Sequence, residues 1–400
     1  MANTLTPRDV YSLMNNIVSQ ATGQTSIAVV DTSTFVSVGE TLLRTAAENT
    51  LNAISTVLAD TIFSVRPYRG KLESLRVSQR RWGAQVRKIV NLYSDAEASE
   101  DWNTDINATQ LADGNSIDMF KIRAPKVLQL NFYGTAVLQK HITRFRDQLA
   151  LAFSSEEEFI RFIDAVMVEF QNEIELINEN KSRLTLINFM LGIHDMGLQE
   201  VDLVQEYNTE HLTTYTRDDL LTTYIEDFMK FVAARIKADS ELMTEMSADM
   251  HANITGYPAI LRHTPKERQK MIMYNPLFIK AEAEVYSGLF NPQYLDIGTF
   301  EGVNFWQSQD VPTSITGTPN ILDVSTGQSA TGTANIGIDY VLGLLFDEEA
   351  LGVMPQFDYS SVTPFNSNGG YWNIFQHWRF NSYCDYTEKA ILYVLGAGGV

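Results

Sequence analysis

The chain has 400 residues, of which 49 are acidic and 30 basic, giving a formal net charge of −19. So acidic a chain is a poor whole-surface partner for nucleic acid, because phosphate binding draws on excess Lys and Arg. The single cysteine, Cys384, excludes an intrachain disulfide framework and a Cys-rich zinc site. No apolar run approaches the ~18–20 residues that cross a membrane, and the first residues lack a cationic segment followed by an apolar one. With 44% hydrophobic residues there is ample material for a core, so the expectation is a soluble, intracellular, globular protein of two or three lobes.

In chain order, residues 1–62 read as an arm. Pro7 suits a first helical turn, and Val10, Leu13, Met14, Ile17 and Val18 share one face of a helix over 7–20. The pattern returns over 40–63 with Leu42, Leu43, Ala46, Leu51, Ile54, Leu58 and Ile62. Either two packed core helices or an arm buried on another subunit accounts for it. Alternation at Val86, Lys88, Val90 and Leu92 predicts a strand, and a second follows over Met119–Phe132, broken at Pro125. A two-stranded ribbon is marginally stable in water and needs a surface to lie on.

Ser155-Glu156-Glu157-Glu158 forms a capping-box sequence. Apolar residues then keep helical spacing from Phe159 to Leu191, with Gly192 as a stop. A second helix is predicted from Thr216 to Leu242, with Asp218 and Asp219 in its first turn. From about 253 onward the texture is short strands and turns. Residues 312–337, rich in Ser, Thr and Gly with Asp323 as the one charge, read as an exposed, strand-rich flap. The aromatic segment 371–383 and the apolar strand 390–396 close the pattern.

Catalytic signatures are missing. The six histidines (His141, His194, His211, His251, His263 and His377) form neither HExxH nor a two-His, one-carboxylate spacing. There is no Walker loop and no GxSxG elbow, and the glycines at 396–399 have no helix behind them to hold a phosphate. Asp385 beside Cys384 raises a thiol's pKa, so the cysteine reads as inert. The sequence implies no catalytic residue, cofactor or metal.

Charge segregation is the one strong pattern. Residues 66–88 carry eight basic side chains, among them Arg76, Arg80, Arg81, Arg87 and Lys88, against Glu73 alone. Residues 95–118 carry seven acids, among them Asp95, Glu97, Glu100, Asp101 and Asp105, and no base. These ten named residues are the candidate intersubunit interface, since contact between copies uses both signs. A solvated charged loop and a nucleic-acid patch at Arg80-Arg81-Trp82 are the other readings.

Arm, two-stranded extension, long helix and mixed C-terminal half, in that order, resemble the major capsid proteins of tailed bacteriophages. Local phrases add to this. Gly298–Pro312 is similar to a strand–turn–strand unit of the axial domain. Gly337–Gly352 resembles a later buried strand and turn, with Asp347-Glu348 where a His-Lys pair is common. Tyr371–Phe380 through Ala390–Val394, with the loop Arg80–Gly83, Asp118–Lys121 and Phe132, resembles the small short-tailed phages. The resemblance implies an α+β, Hong Kong 97-like capsid fold: N-terminal arm 1–63, extended β-hairpin loop 64–135, peripheral domain with spine helix 136–200, axial domain 201–380 with flap 312–337, and C-terminal strand 381–400. It implies a structural protein, not an enzyme, that self-assembles in pentamers and hexamers into an icosahedral shell around double-stranded DNA, without sequence-specific contact. A separate scaffolding protein, a portal and other head proteins would be partners. No membrane is implied, and the location would be the virion after assembly in the host cytoplasm. A bacterial nanocompartment shell is the alternative of the same fold; a soluble enzyme or binding protein is the alternative of another class.

Overall fold

The computed structural model describes residues 7–22, 29, 32–45, 68–77, 86–92, 120, 127–132, 135–145, 156–284 and 299–396. The chain divides into two compact units interleaved in sequence. The first comprises Met1–Ala84, Gly134–Thr185 and Gly352–Ser382; the second comprises Gln85–Tyr133, Leu186–Leu351 and Tyr383–Val400.

In the first unit, helices α1 (Pro7–Thr22) and α2 (Thr32–Thr45) pack together. Met14, Ile17 and Val18 of α1 and Phe35 and Leu42 of α2 are buried. The α1 helix follows its apolar spacing. The α2 helix begins at Thr32, eight residues before the apolar pattern at 40 suggested. Its first half, Thr-Ser-Thr-Phe-Val-Ser-Val-Gly, has poor helix propensity, and burial of Phe35 and Val38 overrides it. The remainder of 40–63 lies outside the described residues, as do Ser155 and its capping box.

The unit's sheet has the order β12-β13-β3, with β3 at Thr135–Phe145, β12 at Leu351–Val362 and β13 at Tyr371–Cys384. The β13 strand pairs antiparallel with β3 from Tyr371↔Phe145 to Asn381↔Thr135. Period-two burial puts Trp378 and Phe380 on one face, where with Val353 they meet Ala136, Leu138 and the helical Ile174 and Ile177. Those isoleucines belong to α3 (Glu156–Asp195), 40 residues long, which at 1.5 Å per residue spans ~60 Å. Gly192 does not end the helix. It sits inside α3 because a Cβ there would overlap the Tyr386 hydroxyl, so glycine is required by packing.

In the second unit, a five-stranded sheet has the order β4-β14-β11-β5-β6 among the described residues. Its strands are β4 (Glu200–Asp202), β14 (Ala390–Val394), β11 (Val341–Asp347), β5 (Gln269–Tyr274) and β6 (Thr299–Val303). Both β11 and β14 are buried along their whole length, the signature of a strand covered on two faces. Helices α4 (Leu203–His211), α5 (Arg217–Thr222), α6 (Ile225–Thr244) and α7 (Asn275–Glu284) accompany the sheet. Phe228, Val232 and Ile236 of α6 join Met271, Leu345, Ile391 and Tyr393 in one core.

Two sequence expectations need correction here. The helix from Thr216 to Leu242 is two helices. Thr216 caps α5 through a reciprocal bond with Asp219, but the chain turns at Thr223-Tyr224, where β-branched residues weaken the helix and Tyr224 stacks on Tyr215. Asn275-Pro276, within the stretch read as short strands and turns, opens α7: a proline in the first helical turn gives up only an N–H that lacks an intrahelical partner anyway. The flap is strand-rich, with β7 (Ile315–Gly317) paired to β10 (Ile336–Ile338) and β8 (Asn320–Asp323) to β9 (Gln328–Thr331). The ribbon also forms: β1 (Val86–Asn91) pairs antiparallel with β2 (Val127–Phe132).

Candidate functional site

The basic block of 66–88 is described at Arg69, Lys71, Arg76 and Lys88, and at the backbone of Arg87. Arg80, Arg81, Asp95, Glu97, Glu100, Asp101 and Asp105 lie outside the described residues. The structure therefore shows how the chain is held on either side of the stretch 78–85. Each side has a charged anchor, and each anchor is internal to its unit.

The anchor in the first unit is built on α3. Glu175 and Glu179, one turn apart, present two carboxylates to segment 68–77. Arg76 meets Glu175 in a bidentate fork, Nη1–Oε1 3.0 Å and Nη2–Oε2 2.6 Å. Glu179 accepts from the Tyr68 hydroxyl at 2.6 Å, from Lys71 N at 3.3 Å and from Arg183 at 2.7 Å. Burial opposes the Glu179 charge, but the Tyr68 and Arg183 bonds outweigh it and hold its carboxyl below the usual range. Val77 N then donates to Val353 O at 2.9 Å, so the segment leaves along the edge of β12. Glycine at 70 lets the segment pass close to this pair, since a Cβ there would stand 3.1 Å from the Arg76 guanidinium and 3.2 Å from the Glu179 side chain.

The anchor in the second unit is built on the turn between β13 and β14. Lys88 of β1 reaches Asp385 at 2.9 Å and also bonds Glu388. Their side chains are 2% and 7% exposed. Arg262 bonds Glu388 from the other side at 2.9 Å, and Glu349 stands at the solvent edge, 3.6 Å from Lys88. The turn is rigid: Asp385 Oδ1 accepts both the N–H and the hydroxyl of Thr387, at 2.9 and 2.7 Å. Burial opposes the ammonium of Lys88, but two facing carboxylates prevail and raise its pKa. The ribbon gains the support it needs here. Val90, Leu92 and Leu130 are buried on the Lys88 side, and Phe132 lies against Tyr383 with ring centroids 5.6 Å apart.

Sequence reasoning named Arg76 and Lys88 but missed the carboxylates that hold them. Glu175 and Glu179 had a signal, an i,i+4 acidic pair inside an apolar helical pattern. Asp385 and Glu388 had none, since they lie about 300 positions from Lys88. Cys384 is beside this cluster, and burial lifts its thiol to about 12, with Asp385 adding to the shift and an Asn188 bond opposing it. Among the described residues, no three His, Cys, Asp or Glu side chains converge as metal ligands, and no helix is long and apolar enough to cross a membrane.

The model of the Phi29-like phage major capsid protein family matches residues 13–393. The chain belongs to that family. The capsid subunit has the mixed helix-and-strand fold of solved phage capsids. It superposes on a chain of the Staphylococcus phage Andhra capsid with a TM-score of 0.54 at 11% identity, covering 84% of this chain and 87% of that one. A chain in the structure of native bacteriophage P68, described as that of its head fiber and inner core protein gp22, gives a TM-score of 0.51 at 10% identity over the same shares. No curated protein matches at the sequence level. The capsid subunit is thus a structural protein of the virion, one of many copies in an icosahedral shell, and the nanocompartment and enzyme readings are not favoured.

Proposed function

We propose that the subunit assembles in the host cytoplasm as pentamers and hexamers, on a separate scaffolding protein and with a portal and other head proteins, and closes around double-stranded DNA. Its work is mechanical, with no catalytic residue. The net charge of −19 suits a lining that does not arrest incoming DNA. The division into N-terminal arm 1–63, extended loop 64–135, peripheral domain 136–200, axial domain 201–380 and C-terminal strand 381–400 supplies the contact surfaces.

Within that division, the basic stretch with Arg80, Arg81 and Arg87 and the acidic stretch with Asp95, Glu97, Glu100, Asp101 and Asp105 pair between neighbouring copies. The observation that supports this is the anchoring of both flanks. Arg76 and Lys88 already have partners within their own chain, while the opposed charge blocks beyond them would waste Coulomb energy within a single subunit. One exposed pair contributes only ~0–1 kcal/mol, so the effect comes from many weak pairs repeated by symmetry.

Negative-stain microscopy of the subunit coexpressed with its scaffold tests both levels. Shells that become sparser as salt rises toward 1 M, where the screening length is ~3 Å, are the expected result. Arg80→Glu/Arg81→Glu should leave a folded subunit that forms no shells. A persistent wild-type monomer overturns the shell reading; normal shells from the double variant, with wild-type salt sensitivity, overturn the pairing.

A further inference from the structure

The turn between β12 and β13 holds Asn368-Gly369, the one Asn-Gly pair in the sequence. Residues 366–369 are all exposed. An asparagine followed by glycine is the most open setting for attack on its own carboxamide, because glycine has no Cβ to shield the next backbone nitrogen. In that reaction the nitrogen of Gly369 loses its proton to solvent and bonds to Cγ of Asn368. The Cγ–Nδ2 bond breaks, ammonia leaves, and a five-membered succinimide remains. Water then opens either carbonyl, giving aspartate or isoaspartate at 368. Water enters and ammonia leaves, so no oxidant, cofactor or enzyme is needed.

The nucleophile is not free in the folded subunit. Oδ1 of Asn366 accepts the N–H of Gly369 at 3.0 Å and that of Asn368 at 3.1 Å. Asn366 is itself fixed on three sides. Its N–H donates to Tyr371 O at 3.0 Å, its carbonyl accepts from Gly370 N at 2.8 Å, and its Nδ2 donates to the Tyr371 hydroxyl at 3.0 Å. Gly369 is packed against the Tyr371 ring so closely that a Cβ there would overlap it, and Gly370 has a positive φ of 65°. The proton that must leave is therefore held by a well-oriented acceptor, and the nitrogen is held away from free rotation toward Cγ.

We propose that Asn368 is a deamidation site and that the Asn366 carboxamide sets its rate by sequestering the Gly369 N–H. Each event adds one negative charge to an exposed turn, and the isoaspartate product also lengthens the backbone there by one carbon. In a shell of many identical copies, the modified fraction records the age of the population.

Full-length purified protein, aged at mildly alkaline pH, tests this by peptide mass mapping with isoaspartate methyltransferase labelling. The expected result is a gain of about one dalton at Asn368, with methyl acceptance, abolished by Asn368→Gln. Asn366→Ala should speed the gain about fivefold, the factor that one net hydrogen bond allows, while Asn366→Asp, which keeps the acceptor oxygen, should stay near the wild-type rate. The same measurement in urea gives the unguarded rate of the sequence and should exceed the folded one. No mass gain at 368 in urea overturns the site. Equal rates for wild type, Asn366→Ala and urea-unfolded protein overturn the guard.

Discussion

Arg76 and Lys88 come from one basic block of the sequence, yet they are held by different physics. The Arg76 fork is partly wet, with side-chain exposures of 18% for Arg76 and 25% for Glu175, and it joins residues 99 apart in sequence. The Lys88 cluster has carboxylates almost fully removed from water and joins residues about 300 apart. A partly exposed ion pair is screened and contributes little by itself. A buried cluster gives modest net stability while intact but is expensive to break, because the surviving charge has no water to return to. A basic residue of the same charge run is thus adjustable on one side and close to obligatory on the other.

The largest effect should follow from breaking the buried side. Lys88→Met leaves Asp385 and Glu388 facing each other with Arg262 as the remaining close cation, and should cost ~3–5 kcal/mol. Urea unfolding of the second unit, followed by amide exchange across β5, β11 and β14, checks this; a loss below ~1 kcal/mol would place the two anchors in one class. Glu175→Gln is the matching change in the first unit. It keeps one acceptor for the Arg76 fork and should cost ~1 kcal/mol, seen as faster amide exchange over 68–77.

Acid and alkali sharpen the contrast without mutation. Glu179 has a lowered pKa, so its contribution is present above the unfolded value of 4.5 and fades as the pH falls through the folded one. Lys88 has a raised pKa, so its contribution is complete below 10.5 and fades as the pH rises through the folded value. Amide exchange should therefore loosen segment 68–77 first in acid and the β1–β2 ribbon first in alkali. The same order at both ends of the scale would break the distinction. The smallest effect concerns Cys384: with its thiol pushed up to about 12, maleimide should label it only after unfolding.

Much of the fold was legible because it is local. The spacing of Met14, Ile17 and Val18 gave α1, the alternation from Val86 to Leu92 gave β1, and the turn-rich texture of 312–337 gave short strands, β7 to β10. What was missed is what depends on distant partners. The early start of α2 comes from burial of Phe35 and Val38 in the face of weak propensity. The role of Gly192 is visible only once Tyr386 lies against it. The anchors divide the same way: an i,i+4 pair such as Glu175 and Glu179 can be read from one helix, whereas Asp385 and Glu388 meet Lys88 only after the chain has closed on itself.

The position of β14 has a consequence for how the subunit is made. It lies between β4, which it pairs in parallel from Leu392↔Glu200 to Val394↔Asp202, and β11, which it pairs antiparallel from Val341↔Val394 to Phe346↔Ala390. On the ribosome, the β4 strand and the helices after it emerge long before the strand that must be inserted beside them. Until residues 390–394 appear, β4 and β11 have no strand between them, and the core formed by Ile391 and Tyr393 has a gap. Such late, long-range pairing is slow. A chain broken off early lacks an inner strand of its sheet and the turn that holds Lys88, and so has neither a finished core nor an anchored ribbon.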